Sequence, residues 1–118
     1  MSKGIGRFVR AEAEAAYART YEDARALWPA HEVHRVDTTY GTAQALTLGG
    51  GDQTPVVLLH GLSCTALMWR PNVEALAVDR PVIALDCLAD CGGGKQTAPI
   101  PNLPALADSV VQTLAGLG

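Results

Sequence analysis

The sequence lacks the features that mark membrane-spanning, secreted or nucleic-acid-binding proteins. Its 118 residues contain no apolar run that approaches the ~20 residues of a membrane span. The first residues, MSKGIGRFVRAEAEAAY, hold no apolar core of a secretory signal. The net charge is only -3, so no strong positive field would attract nucleic acid or an acidic membrane surface. We therefore expect neither nucleic acid nor membrane as a partner.

Cysteine is also scarce, and its number is odd. Three cysteines cannot all pair within one chain, and without an export signal reduced thiols are the default. The sequence therefore predicts a cytoplasmic protein. Apolar residues make up 48% of the chain and charged residues 18%, which is typical of a globular domain. We see no linker that would divide the chain, so we predict one domain over residues 1–118.

The N-terminal part predicts a helix followed by a hairpin. Apolar residues recur there at spacings of three and four, which places them on one helix face. We place this helix at residues 7–28, ended by Pro29, because the residue before a proline avoids helical geometry. Polar and apolar residues then alternate, which predicts two strands joined at Tyr40-Gly41-Thr42. The face of the helix comprises Val9, Ala13, Tyr17, Tyr21, Ala24 and Trp28.

Two short apolar runs predict parallel strands. Residues 56–59 are consecutively apolar, which is typical of a strand buried on both faces. Pro71 suits the first turn of a helix through about Val78, and a second buried strand ends at Asp86. A polar, glycine-rich loop follows over 87–101. An apolar stripe then predicts a final helix capped by Asn102: Leu103, Leu106, Ala107, Val110, Leu114 and Leu117. The order predicts an α/β fold: N-terminal helix, β-hairpin, then parallel β-α-β-α.

The segment PVVLLHGLSCTALMWRPNVEALAVDRPVIALD, placed after a hairpin, resembles the N-terminal part of the α/β-hydrolase fold. The resemblance covers roughly residues 32–118, and ARALWP before the hairpin is similar to one subset of bacterial members. It implies a single incomplete hydrolase domain, with the N-terminal helix at 7–28 and the sheet portion at 32–118.

The resemblance also implies a site beyond the carboxyl ends of the parallel strands. The N–H of Leu62 would be one oxyanion-hole donor, Gly61 would let the backbone approach the substrate closely, and His60 would brace the loop. Together these three form the predicted oxyanion loop. Candidate pocket residues are Ser63, Trp69 and Asp86.

The sequence departs from the family in its loop and its nucleophile. The family loop Asp-x-x-Gly-x-Gly-x-Ser is here DCLADCGGGKQT, in which Asp86 matches and a flexible glycine run stands at 92–94. No G-x-S-x-G occurs, and the family's late acid and histidine are missing too. We therefore predict the N-terminal part of a serine-type hydrolase for an acyl substrate, truncated before the nucleophile elbow, inactive alone and using no cofactor or metal.

Other interpretations stay open beside this one. The segment ADCGGGKQT suggests a phosphate loop but lacks its first glycine, and Cys87, Cys91 and Cys64 or His60 suggest a weak zinc site. A third interpretation is a local catalytic dyad of His60 with Ser63 or with a cysteine. The main alternative is a non-catalytic interaction protein that kept half of the hydrolase fold. Without a fifth strand, residues 56–59 would form an exposed sheet edge, which favours self-association.

Overall fold

Helices and strands follow one another in the predicted order in the computed structural model, which describes residues 5, 8–89 and 92–118. A short 3₁₀ turn, Ala66–Trp69, precedes α2, and its Thr65 cap accepts from the Leu67 N–H. The elements are α1 Ala11–Arg25, β1 Glu32–Thr38, β2 Gly41–Leu48, β3 Val56–Leu59, α2 Arg70–Leu76, β4 Val82–Asp86, β5 Lys95–Gln96 and α3 Leu103–Leu117.

The strands form one mixed sheet in the order β1-β2-β4-β3, with β5 beside β2. β1, β2 and β4 pair antiparallel, whereas β3 and β4 are parallel. The predicted hairpin and the parallel β-α-β unit are therefore confirmed. Because side chains alternate along a strand, paired positions share a face: Gln44 with Asp86, Leu46 with Ala84, and Leu48 with Val82.

The two faces of the sheet are covered by different helices. On the Leu46 face, the core gathers Trp28, which follows α1, Ala66 at the start of the 3₁₀ turn, and Val73 of α2. On the opposite face, α3 packs against β1, where a Cβ at Gly116 would overlap the side chain of Val36. This three-layer arrangement gives the chain a core on each side of β2 and β4.

The boundaries differ from the prediction in the N-terminal half. α1 is Ala11–Arg25, shorter than 7–28, although Tyr21 and Trp28 are buried as the helical face predicts. Val9 is exposed, so the packed face covers only the second half of the predicted stripe. The hairpin turn lies at residues 39–40, since Gly41 already opens β2 and pairs with Gln96 of β5. β5 was missed within the predicted 87–101 loop, because two residues carry no periodicity.

The prediction that β3 is buried on both faces is wrong. Leu58 is buried in the core, but Val57 is 38% exposed and Leu59 is 49% exposed. The reason is position, because β3 is the terminal strand of the sheet and α3 covers the face over β1. The predicted edge is thus confirmed. Continuous burial falls instead on β2 and β4.

The C-terminal helix is confirmed, with Asn102 accepting from the Ala105 N–H at 2.9 Å. Its packed face is rotated from the predicted stripe, because Ser109 and Thr113 are buried while Leu103 is 79% exposed. Both hydroxyls donate hydrogen bonds to carbonyls within the helix, Ser109 to Leu106 and Thr113 to Ser109. Small hydroxyl side chains therefore allow α3 to approach the sheet closely.

Within the described residues, no helix is long and apolar enough to cross a membrane.

Candidate active site

The segment between β3 and the 3₁₀ turn, residues 60–65, begins at the carboxyl end of β3 and is called here the 60–65 loop. It contains a tight turn in which the Cys64 N–H donates to the Gly61 carbonyl at 3.1 Å. Ser63 lies in this turn with a φ of 62°, in the left-handed region that residues other than glycine seldom adopt. Leu62 is 90% exposed, and its N–H donates to no other described residue.

His60 ties this loop to the end of the neighbouring strand. Its Nε2 accepts from the Cys87 N–H at 2.9 Å, and its Nδ1 lies 2.9 Å from the Gly61 carbonyl. A ring nitrogen that accepts from an amide carries no proton, so Nδ1 carries it and donates to Gly61. The ring thus joins the carboxyl ends of β3 and β4. That it braces an oxyanion loop, as the family resemblance implies, stays a prediction.

Gly61 is not required by the local backbone. A Cβ at this position would meet no atom within 4 Å, and Gly61 is not among the positive-φ glycines. Its N–H donates to the thioether of Met68 at 3.4 Å. Neither a positive φ nor crowding therefore requires glycine at 61, and the left-handed residue of the turn is Ser63. What an absent side chain at 61 provides is open space beside the Leu62 N–H.

Asp86, the last residue of β4, is the most connected polar group of the site. It is 2% exposed, and its carboxylate accepts four hydrogen bonds. Oδ1 accepts from the Ala66 N–H at 2.7 Å, and Oδ2 accepts from the Gly93 N–H at 3.0 Å and Gln44 Nε2 at 3.3 Å. The fourth donor is the Tyr21 hydroxyl of α1. Four donors compensate the desolvation of a buried carboxylate, so Asp86 is satisfied without a ligand.

Tyr21 is buried beside this carboxylate, and its ionisation is suppressed. Desolvation by burial raises the pKa of Tyr21 far above its usual range, and the negative charge of Asp86 raises it further. The Tyr21 hydroxyl therefore stays protonated as the donor to Asp86. It also accepts from Gln44 Nε2 at 2.9 Å, so the three side chains form a closed polar triangle between α1, β2 and β4.

The glycine run after β4 has a steric cause. A Cβ at Gly92 would lie 2.5 Å from Asp86 Cβ, and one at Gly93 would lie 2.5 Å from Gln44 Cδ. Both glycines let the backbone pass directly over the Asp86–Gln44 pair, which is how the Gly93 N–H reaches Oδ2. The prediction that this run serves flexibility is therefore corrected, because close packing requires it.

The other candidate pocket residues are spread out. Trp69 packs against the core cluster, and its buried Nε1 has no hydrogen-bond partner among the described residues. Ser63 is exposed in the turn, and Asp86 lines a small cavity beneath α3 with Ala43 and Ser109. The structure therefore joins Asp86 to the 60–65 loop through Ala66, but it turns Trp69 toward the core.

Sequence reasoning missed Tyr21 and Gln44 as members of the site. Tyr21 was assigned to a helix face, and Gln44 was one polar residue in an alternating strand. The available signal was the match of Asp86 to the family loop, since a buried aspartate needs donors from somewhere. The zinc interpretation depends partly on Cys91, which lies outside the described residues. In the part that is described, no three His, Cys, Asp or Glu side chains cluster as metal ligands would.

Comparison with known proteins shows the class of this fold. No protein-family model matches the chain. The crystal structure of naproxen esterase from Bacillus subtilis superposes with a TM-score of 0.86 at 24% identity, over 92% of this chain and 39% of that chain. The chain therefore has the α/β-hydrolase fold over most of its length.

More particularly, its homologues are carboxylesterases and α/β hydrolases. Carboxylesterase YbfK of B. subtilis is 28% identical over 112 residues, which are 94% of this chain and 38% of that protein. The uncharacterized carboxylesterase nap of the same organism is 31% identical over 75 residues, which are 63% of this chain and 25% of that protein. The chain thus spans well under half the length of these relatives.

Proposed function

We propose that the chain forms the N-terminal part of an α/β-fold hydrolase of the serine-hydrolase type, acting on an ester or a similar acyl bond. In this proposal His60, Gly61 and Leu62 are the oxyanion loop. The observation that carries it is the Leu62 N–H, which lies in an exposed turn beyond β3 and donates to no other described residue. Carboxylesterases among the homologues support the acyl substrate class.

The chemistry that this loop supports is stabilisation of a developing negative charge. Attack on an acyl carbonyl places charge on its oxygen, and a fixed N–H that points at that oxygen lowers the barrier. The turn around Ser63 and the His60 brace fix the peptide before substrate arrives, so little reorganisation is needed.

We further propose that residues 1–118 supply no nucleophile. Neither described serine lies in a G-x-S-x-G segment: Ser63 is in the turn of the 60–65 loop, and the Ser109 hydroxyl donates to Leu106 O at 2.6 Å within α3. A Ser63–His60 dyad is disfavoured, because both ring nitrogens of His60 are engaged by backbone groups. In a complete enzyme the nucleophile, base and acid would come from another segment.

A chimera tests the proposal. This chain replaces the matching N-terminal segment of carboxylesterase YbfK, and hydrolysis of a p-nitrophenyl ester is measured. Leu62→Pro deletes the donor N–H at the second position of a turn, where proline is favoured, and should lower kcat by ~10²–10³. Leu62→Ala is the matched control, since it removes the exposed side chain and keeps the N–H.

Two results would contradict the oxyanion role. One is a folded chimera that hydrolyses no ester, and the other is an equal kcat for Leu62→Pro and Leu62→Ala. The 118-residue chain alone should release no p-nitrophenol above the buffer rate, because no nucleophile attacks the ester.

The second candidate is a non-catalytic interaction protein with the same half-fold. It is favoured by the absence of G-x-S-x-G from the sequence and by the open edge of β3. The two candidates differ in the chimera, because an interaction protein has no reason to keep a working oxyanion donor.

A further inference from the structure

We propose that Tyr21 and Asp86 are positioning residues for the 60–65 loop, so that helix α1 fixes the geometry of the loop that carries the Leu62 N–H. The inference rests on the proposed function only in calling this loop the oxyanion loop. The structural coupling itself stands on the hydrogen bonds among described residues.

Two consecutive residues hold the loop at both ends. At its entry, the Cys87 N–H donates to His60 Nε2 at 2.9 Å. At its exit, the Ala66 N–H donates to Asp86 Oδ1 at 2.7 Å. Asp86 and Cys87 follow one another at the end of β4, so one short segment sets the distance between the two ends of the loop. Between these points, the Cys64–Gly61 hydrogen bond closes the turn.

The orientation of the Asp86 carboxylate is set from the opposite side. Oδ1 faces the loop, whereas Oδ2 accepts from Tyr21, Gln44 and Gly93. A carboxylate is planar, so fixing Oδ2 from three directions also fixes where Oδ1 points. Tyr21 is the one of these donors that lies on α1, 65 positions away in sequence. Through it, the position of α1 determines where the Ala66 N–H is held.

This arrangement assigns α1 a role that packing alone would not require. A phenylalanine at 21 would fill the same volume against the core. The hydroxyl adds a directed contact to the one side chain that holds the exit of the loop. Gly92 and Gly93 support the same carboxylate, because without side chains their backbone can pass against the Asp86–Gln44 pair.

Amide hydrogen exchange of the 118-residue chain, followed by NMR, tests the coupling without any substrate. Tyr21→Phe should speed exchange at the Ala66 amide by roughly tenfold, with smaller increases at Cys64 and Cys87, because the loop opens locally. Exchange of the amides in the β1–β2 ladder should become faster only by the factor that the loss of global stability accounts for. Tyr40→Phe is the matched control. Tyr40 also donates to an aspartate, Asp108, at 2.9 Å, but it lies on the hairpin turn and not on α1.

Gln44→Met gives a second, independent perturbation of Oδ2 and should affect the same three amides if Tyr21→Phe fails to fold. A uniform increase across loop and hairpin amides in both variants would overturn the proposal, since it would reduce Tyr21 to a general stabilising residue. Failure of the oxyanion role is a separate result. It would appear as equal kcat for Leu62→Pro and Leu62→Ala, whatever the exchange data give.

Discussion

At the scale of residues, the buried carboxylate of Asp86 organises the polar chemistry of this chain. Its four donors come from α1, β2, the 3₁₀ turn and the loop after β4. Removing any one of them leaves an underbonded buried charge, which is more costly than losing an exposed hydrogen bond. This accounts for the two glycines beside it, whose missing side chains make room for the approach.

Gly93→Ala should destabilise the fold by ~1–3 kcal/mol, because the added Cβ would overlap the Gln44 amide and displace the Gly93 N–H from Asp86. Gly50→Ala is the control, since a Cβ there meets no atom within 4 Å and the loop is exposed. Urea unfolding measures both. Equal midpoints for the two variants would show that the glycine run serves another purpose.

Stability should fall in alkaline solution because of Tyr21. Its pKa is raised in the folded state, so the unfolded chain loses the proton first, near the ordinary value of 10.0. The stability from neutral Tyr21 is present below this pH and declines above it, with a slope of at most ~1.4 kcal/mol per pH unit. Tyr21→Phe should flatten that slope above pH 10.0.

The matched variant Tyr40→Phe should leave most of the alkaline slope in place. The pKa of Tyr40 is also raised, chiefly by its hydrogen bond to Asp108, but this side chain stands in solvent, which screens the effect. If both variants flatten the slope equally, burial of Tyr21 is not its cause.

At the scale of elements, the local pattern predicts the secondary structure of α3 and of β3 but not which of their residues are buried. The Asn102 cap and the apolar periodicity specify a helix whatever it packs on, and α3 forms as predicted. Which side of α3 is buried depends on the sheet it meets, so Ser109 and Thr113 take the place expected for Leu103 and Ala107. The apolar run of β3 specifies a strand, but burial needs neighbours, and β3 has one.

At the scale of the whole molecule, the two terminal strands of the sheet, β1 and β3, differ in how they are covered. α3 rests on β1, and Asp108 of α3 accepts a hydrogen bond from Tyr40 of the hairpin turn. The β3 edge has no such cover among the described residues. Val57 and Leu59 pair with Ile83 and Leu85, so they lie on the α3 face of the sheet, where both side chains are exposed. An uncharged edge of this kind is a template for strand pairing.

We therefore expect the 118-residue chain to self-associate through β3. Val57→Lys should raise the monomer fraction in sedimentation, because a lysine on an edge strand opposes pairing. Val78→Lys, at another exposed valine beyond α2, is the control for added charge and should leave the association unchanged. A wild-type chain that sediments as a monomer at high concentration and melts cooperatively would contradict this expectation.

The sequence by itself determined the type and order of the main elements, and the resemblance that led to the hydrolase fold. Those features depend on residues near one another: helical spacing in α1, alternation in the hairpin, the cap at Asn102 and the His60-Gly61 end of β3. Only the tertiary structure decided that Tyr21 bonds to Asp86, that glycines at 92 and 93 are steric necessities and that β3 is half exposed. These depend on groups distant in sequence, whose meeting follows from the packing of layers and leaves no short-range pattern.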